Sequence, residues 1–259
     1  MYDDLKGYGR RPDEHRMLYD GTGLIQSYDF RSAIDAEEYL VCGYEWTEQN
    51  APLEEWCVGQ SVYTYRWDYS PDGHPSSKYY DGGSDGVVDR IWHYEVDSEG
   101  RITSESLDQD LDGSIDSQIW YDYNSEGQLI GDRWDYQGDG ITDYARSYRY
   151  GSTGLLETLS IDSDADGSDD EETTYRYDSW GNILRISTDE AIDGQWDHTA
   201  EYAYDNCKLL SISEIELSGS ANTVNYSYHD DGRLFREDYD WDANGSRDAF
   251  AAWEYVCPQ

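Results

Sequence analysis

The stretch DQDLDGSID, Asp108 to Asp116, returns along the chain at intervals of 27 residues. Copies open at Asp81 (DGGSDGVVD), Asp135 (DYQGDGITD), Asp162 (DSDADGSDD) and Asp189 (DEAIDGQWD), and a sixth, DWDANGSRD, opens at Asp240. Between them runs a second feature on the same period, a tyrosine-rich segment closed by a glycine at 73, 100, 127, 154 and 181. A fixed period of this length means one supersecondary unit stacked on copies of itself, each burying its apolar side against its neighbours. Any fold for this chain must repeat with it.

The unit reads as strand, tight turn, strand, acidic loop. Tyr94, Tyr121, Tyr148, Tyr175 and Tyr202 form one column, and Val96, Tyr123, Tyr150, Tyr177 and Tyr204 a second, two residues on. An offset of two places both columns on one face of a strand. The residues between are polar or charged (His93, Glu95, Asp122, Arg149, Arg176, Glu201), as in a half-exposed antiparallel sheet. After each turn come Ile102, Leu129, Leu156, Ile183 and Leu210, then Leu107, Trp134, Ile161, Thr188 and Ile215. These columns are five apart and share a face only if a β-bulge lies between them. Earlier turns fall at Gly21–Gly23 and at Asn50, which lies 27 residues after Gly23; later ones fall near Asn206–Lys208 and at Gly232. Nine turns predict up to nineteen strands in one meander.

The expected fold is therefore all-β, a repetitive antiparallel meander of 27-residue hairpin units. A flat sheet of that many strands would run on the order of 90 Å at ~4.8 Å per strand, so twisting and curling into a solenoid-like or tube-like form is expected. A propeller of four-stranded blades would need a 54-residue doublet and is the rival architecture. Residues 1–62 read as irregular N-terminal hairpins and residues 63–259 as the regular repeats, continuous in a single domain.

Composition narrows the setting. The net charge of -39 excludes the electrostatic footprint of a nucleic-acid binder and opposes adhesion to anionic membrane. So much charge with 37% hydrophobic residues would suit a disordered chain, but 26 Tyr and 10 Trp supply packing surface. No apolar run approaches membrane-spanning length, and MYDDLKGYGR has no signal-peptide core, as expected of a mature form. Cys42 and Cys57 flank the turn at Glu48–Ala51 almost symmetrically, as a cross-strand disulfide requires; Cys207 and Cys257 would form a second. Disulfides imply an oxidising, extracellular location, the alternative being four reduced, buried thiols.

The acidic loops carry the chemistry. In D-x-D-x-D-G-x-x-D, carboxylates at positions 1, 3, 5 and 9 and a carbonyl at 7 converge on a hard cation, the glycine permitting the turn. Asp108, Asp110, Asp112 and Asp116 fit throughout, as do Asp162, Asp164, Asp166 and Asp170, and Asp240, Asp242, Asn244 and Asp248. Asp81, Asp85 and Asp89, Asp135, Asp139 and Asp143, and Asp189, Asp193 and Asp197 are thinner sets, with Gly83, Gln137 and Ala191 at position 3. An EF-hand would add a glutamate at position 12, where Ile119, Thr173 and Ala251 stand. The loops resemble instead the calcium loops between strands of integrin alpha-subunit propellers. Calcium suits such an irregular oxygen cage better than magnesium, and several Ca2+ ions coupled to folding are expected. Even six would leave the surface strongly acidic.

The segment YRYDSWGNIL, Tyr175 to Leu184, resembles a YD repeat of the RHS type, Y-x-Y-D-x-x-G-x-L. Tyr121 to Leu129 and Tyr226 to Leu234 are weaker copies. That family comprises secreted or surface proteins of bacteria and animals built as spiralling antiparallel sheets, the large ones wrapping toxin domains or mediating adhesion. The resemblance implies a surface or secreted, bacterial protein. This chain departs by inserting calcium loops and by being too short for an enclosing shell, and no toxin domain follows its repeats.

No catalytic constellation emerges. His15, His74, His93, His198 and His229 fall at unrelated repeat positions, and no G-x-S-x-G elbow is present. The carboxylates are absorbed by the loops. The expectation is a non-enzymatic, calcium-stabilised structural subunit of a surface fibre, appendage or matrix, polymerising with itself through sheet edges. The alternative is a calcium-dependent adhesin or carbohydrate-binding module that stacks glycans on its tyrosines and tryptophans.

Overall fold

The computed structural model describes residues 14–20, 23–31, 39–59, 61–205 and 208–252. Cys207 and Cys257 lie outside the described residues. Among the described residues the chain forms nineteen strands and no helix. They are β1 (Glu14–Tyr19), β2 (Ile25–Arg31), β3 (Tyr39–Trp46), β4 (Pro52–Gly59), β5 (Tyr63–Tyr69), β6 (Pro75–Gly82), β7 (Arg90–Val96), β8 (Ile102–Asp108) and β9 (Ser117–Tyr123). There follow β10 (Leu129–Asp135), β11 (Tyr144–Tyr150), β12 (Leu156–Asp162), β13 (Glu171–Tyr177), β14 (Ile183–Asp189) and β15 (His198–Asp205). The last are β16 (Lys208–Glu216), β17 (Ala221–Tyr228), β18 (Leu234–Asp240) and β19 (Ala249–Ala252). All nineteen belong to one sheet, the meander that the repeat predicts.

Two compact units divide it. The first takes the described residues up to Tyr121 together with Trp134–Ile141, and the second takes Asp122–Arg133 and the described residues from Thr142 on. In the first, β1 to β9 pair in sequence order, each antiparallel to the next. In the second, β11 to β19 do the same. From β5 to β15 the connections alternate between tight turns and the nine-residue acidic loops; β16 and β17 meet through a tight turn, Glu216 to Ser220, where a loop would fall on the period.

The tight turns explain the residue that precedes them. Asp178 opens one, and its Oδ1 accepts the backbone N–H groups of Trp180 at 2.8 Å and Asn182 at 2.9 Å. Asp97, Asn124, Asp20, Thr47 and Ser70 serve the same end through their side-chain oxygens. This is the Asx or ST turn, and it is why an aspartate follows the second tyrosine of the repeat. At the glycine position the backbone is left-handed, and Asn50 (φ 63°) stands in for glycine there, as the spacing from Gly23 predicts.

The bulge also appears where the five-residue offset places it. Tyr177 pairs with Ile183 and Arg176 with Arg185, leaving Leu184 as the extra residue. The same shift leaves out Thr103, Glu157, Leu53, Ser76 and Phe235 in their hairpins. In β15–β16 it leaves out Leu210, which corrects one expectation. Tyr204 pairs with Leu209 and Ala200 with Glu214, so Leu209, not Leu210, continues the apolar column, and Ile215 turns to the other face. This turn is one residue shorter than its counterparts, and a one-residue slip moves every following side chain across the sheet. Leu210 and Ile215 are accordingly 40% and 48% exposed.

In several hairpins the next hairpin captures a carbonyl of the strand that follows the turn. Tyr177 donates its hydroxyl to Leu156 O, Tyr150 to Leu129 O and Tyr228 to Leu209 O, each at 2.8 Å. Tyr69 reaches Pro52 O in the same way, and Trp46 uses its indole N–H to reach Ile25 O. Tyr69, Tyr150, Tyr177 and Tyr228 thus latch their hairpins to the ones before, and Trp46 does so in its own hairpin.

The described residues hold no conventional apolar core: the fully buried apolar side chains are Cys42 and Cys57. They pair directly across β3 and β4 and form a disulfide, with Cα atoms 4.1 Å apart. Elsewhere the tyrosine face is half-buried, and the most buried groups are small or acidic, such as Ser104, Thr158 and Asp132. Mid-strand on the tyrosine face one repeat position carries Glu55, Lys78 and Glu105 in the first unit. In the second it carries Asp132, then Leu159, Ile186, Ile212 and Glu237. The Lys78 ammonium sits over the rings of Tyr65 (4.1 Å) and Trp92 (4.8 Å). Burial lowers its pKa, against Glu105 and Glu55, which raise it. Asp132, fully buried, accepts from Arg146 Nε at 3.0 Å and from the Tyr148 hydroxyl at 2.9 Å.

Two measurements check this packing. Tyr177→Phe removes one latch and is expected to lower urea stability by about 1 kcal/mol. Burial, then the Glu55 carboxylate, pushes the Tyr63 phenol up to about 12, and burial likewise raises Tyr65, Tyr94 and Tyr148. A phenol raised on folding stabilises fully below its unfolded pKa of ~10 and loses that contribution as pH climbs through the folded value. Unfolding by alkali between about pH 10 and 12, with late tyrosine ionisation in the ultraviolet, is the expected outcome.

Candidate metal centre

Each acidic loop begins on the last residues of a second strand. Asp108, Asp135, Asp162, Asp189 and Asp240 close β8, β10, β12, β14 and β18, and all five are buried. The loop folds back over this first carboxylate. Its Oδ2 accepts the backbone N–H of the position-6 glycine: Gly113 (3.0 Å), Gly140 (2.7 Å), Gly167 (2.9 Å), Gly194 (2.8 Å) and Gly245 (2.7 Å). Asp81 holds Gly86 identically at 2.8 Å. The position-9 carboxylate ties the other side, accepting the position-2 N–H in the loops opening at 81, 108, 162, 189 and 240. The position-9 N–H, in turn, donates to the strand residue preceding the loop, as Asp116 does to Leu107 O at 2.8 Å.

One backbone form recurs in all six loops. Position 6 is a left-handed glycine, and position 4 is left-handed as well: Ser84, Leu111, Gly138, Ala165, Ile192 and Ala243. Sequence reading missed position 4, because leucine, isoleucine and alanine give no signal of that conformation. At Gly138 the requirement is steric too, since a Cβ there would lie 1.8 Å from Ile115 O of the preceding loop.

The side chains sort the loops. Asp108, Asp110 and Asp116 bring carboxylate oxygens within 4.8 Å of one another, as do Asp162, Asp164 and Asp170, and Asp240, Asp242 and Asp248. These are positions 1, 3 and 9 of the three complete copies. The position-5 groups of Asp112, Asp166 and Asn244 stand outside that triplet and accept the position-7 N–H, at 2.7, 2.8 and 2.8 Å. Among the described residues no such triplet gathers from Asp81, Asp85 and Asp89, from Asp135, Asp139 and Asp143, or from Asp189, Asp193 and Asp197. Cys42, Cys57 and Glu55 also converge, but the disulfide takes both sulfurs.

The electrostatics favour ionised ligands. The Ser114 N–H lowers the pKa of Asp112, the Ser163 hydroxyl that of Asp170, and the Asn244 side chain that of Asp242. Burial works to raise Asp135, yet the N–H groups of Gly140 and Gln137 lead those that hold it low. Asp108 Oδ1 has no hydrogen-bond partner although the residue is only 7% exposed. A buried carboxylate oxygen left bare is costly unless a cation meets it. With oxygen donors alone, each triplet has the chemistry for a hard divalent ion such as Ca2+ or Mg2+.

No family model and no curated protein matches the chain. Among solved structures it is similar to TcdB2-TccC3 (TM-score 0.44, 13% identity), aligning 93% of its own length with 15% of that chain. It is similar to the Photorhabdus luminescens Tc holotoxin pore (TM-score 0.35, 12% identity), with coverage of 89% and 19%. A porin-like protein from Bacteroides uniformis overlaps at TM-score 0.42 and 13% identity, with coverage of 83% and 90%. The chain thus spans about one-seventh of the toxin chain. None of the three reaches a TM-score of 0.5.

Two glycine variants test the loop geometry. Gly167 (φ 93°) has nothing within 4 Å of an added Cβ, so Gly167→Ala meets only the left-handed backbone and is expected to cost about 1 kcal/mol. Gly138→Ala meets a carbonyl and is expected to cost about 3 kcal/mol. Equal losses in urea denaturation would mean that the two loops do not pack as described.

Proposed function

We propose that this chain is an extracellular structural repeat protein whose acidic loops bind calcium and whose sheet assembles with further copies of itself. The observation that carries the metal reading is the triplet of carboxylates in three loops, one of them with a buried oxygen that no protein group satisfies. Calcium fits better than magnesium because the donors are anionic, crowded and irregular, which suits 6–8-coordination and not a strict octahedron. The Cys42–Cys57 disulfide supports an oxidising location. The likeness of YRYDSWGNIL to YD repeats agrees with a surface or secreted setting.

Assembly is argued from the ends of the meander. β1 carries Met17, Leu18 and Tyr19 at 50–56% exposure, and Phe250 on β19 is 58% exposed. Apolar edge strands of this kind add to the edge of another copy, and a head-to-tail contact that does not close propagates. A structural role also suits an architecture that spends its carboxylates on loops. A second reading, glycan binding, is favoured by Trp180, 76% exposed beside a groove of about 740 Å³ that Tyr175 and Tyr177 help to line.

Sedimentation in calcium and again in excess chelator separates these readings. Fast-sedimenting polymer in calcium that falls to monomer on chelation is the expected result. A compact monomer in calcium overturns assembly and makes glycan binding the next test. No change in size or folding on chelation overturns the calcium role.

A further inference from the structure

The six loops share one backbone and differ in the side chain at position 3. Complete and thin loops alternate along the chain: Gly83, Asp110, Gln137, Asp164 and Ala191 follow one another, and Asp242 resumes after the tight turn at Glu216–Ser220. Everything else that shapes the cage is already built in a thin loop. In the one opening at Asp189, Oδ1 and Oδ2 accept from Asp193 N (3.1 Å) and Gly194 N (2.8 Å). Asp193 Oδ1 accepts from Gln195 N (2.9 Å) and Asp197 Oδ2 from Glu190 N (2.8 Å), while Ile192 is left-handed. The complete loop opening at Asp162 makes the same bonds through Asp166, Gly167, Ser168 and Ser163. It differs by Asp164, which joins Asp162 and Asp170 in the triplet.

Resting on the calcium reading above, we infer that position 3 alone decides occupancy: the protein takes three calcium ions tightly, in the loops opening at Asp108, Asp162 and Asp240. The loops opening at Asp81 and Asp189 keep the backbone of the cage but lack its position-3 ligand, with Gly83 and Ala191 in that place. The oxygens that the loop itself supplies bear on affinity in such sites, since an absent one leaves the ion to water at that vertex; the loop opening at Asp240 keeps a side-chain oxygen at positions 1, 3, 5 and 9, with Asn244 at position 5. Within each unit the arrangement also keeps neighbouring cages from both being complete, so a filled loop has a thin loop or a tight turn two strands away, at about 10 Å. Mutual repulsion of divalent ions is thereby reduced.

The test is a calorimetric calcium titration of the full chain, metal-free at the start, with a matched exchange of one residue. Wild type is expected to show three tight equivalents, with any remaining sites at least ~10-fold weaker. Asp164→Ala reproduces the thin loop and is expected to leave two; Ala191→Asp completes a cage and is expected to give four. Because Asp164→Ala may be read only if it folds, the gain in Ala191→Asp, whose loop already stands, is the independent arm. No calcium uptake in any variant overturns the calcium reading itself. Six like equivalents in wild type, or three that neither substitution changes, leave calcium standing and overturn the role of position 3.

Discussion

The repeats depend on a buried carboxylate, which stands at the ends of β8, β10, β12, β14 and β18. Asp162, for example, ends β12, lies beneath its own loop and accepts the N–H groups of Asp166 and Gly167. A charge so placed is tolerable only if several donors converge on it. Meeting that demand forces positions 4 and 6 into left-handed backbone and swings positions 3 and 9 toward the same point. The carboxylate cluster is thus a by-product of satisfying one aspartate. The strand end, the loop conformation and the ligand cluster are three views of a single constraint.

The spacing of the acidic cages follows from ordinary electrostatics. Two divalent ions ~10 Å apart repel by roughly 1.7 kcal/mol even at the dielectric of water, and by more near protein. A sheet whose loops recur every two strands meets that distance at each step. On the calcium reading proposed above, thinning alternate loops relieves that repulsion without abandoning the hairpin period.

Much of this was legible in the residues themselves. The 27-residue period gave the nineteen-strand count, the five-residue offset required the bulge seen at Leu184, and the spacing from Gly23 put a turn at Asn50. The cross-strand pair Cys42–Cys57 was also readable from its symmetric turn. What escaped has a common cause, the dependence of a strand's face on single-residue register. The shortened turn before Lys208 moved Leu210 and Ile215 off the column that their 27-residue spacing assigned them. The Asp132–Arg146–Tyr148 network was likewise invisible, since one aspartate in a strand does not announce that it is fully buried. Position 3 was legible as a gap, but the backbone bonds that remain around it in the loops opening at Asp81 and Asp189 were not.

The mid-strand position of the tyrosine face, occupied in turn by Glu55, Lys78, Glu105, Asp132, three aliphatic residues and Glu237, has a consequence for how such a chain finds its native order. Near-identical hairpins can dock one repeat out of step almost as well as in step, and misassembly of this kind is the characteristic hazard of repeat proteins. Here a hairpin displaced by one repeat would set Lys78 against the wrong neighbours and leave a half-buried carboxylate without its counter-charge. The non-repeating residues at an otherwise repeating position act as an address, so that each hairpin recognises its place in the row. Duplication or loss of a single unit by recombination would therefore be discriminated against during folding, which gives a repetitive gene a fixed length.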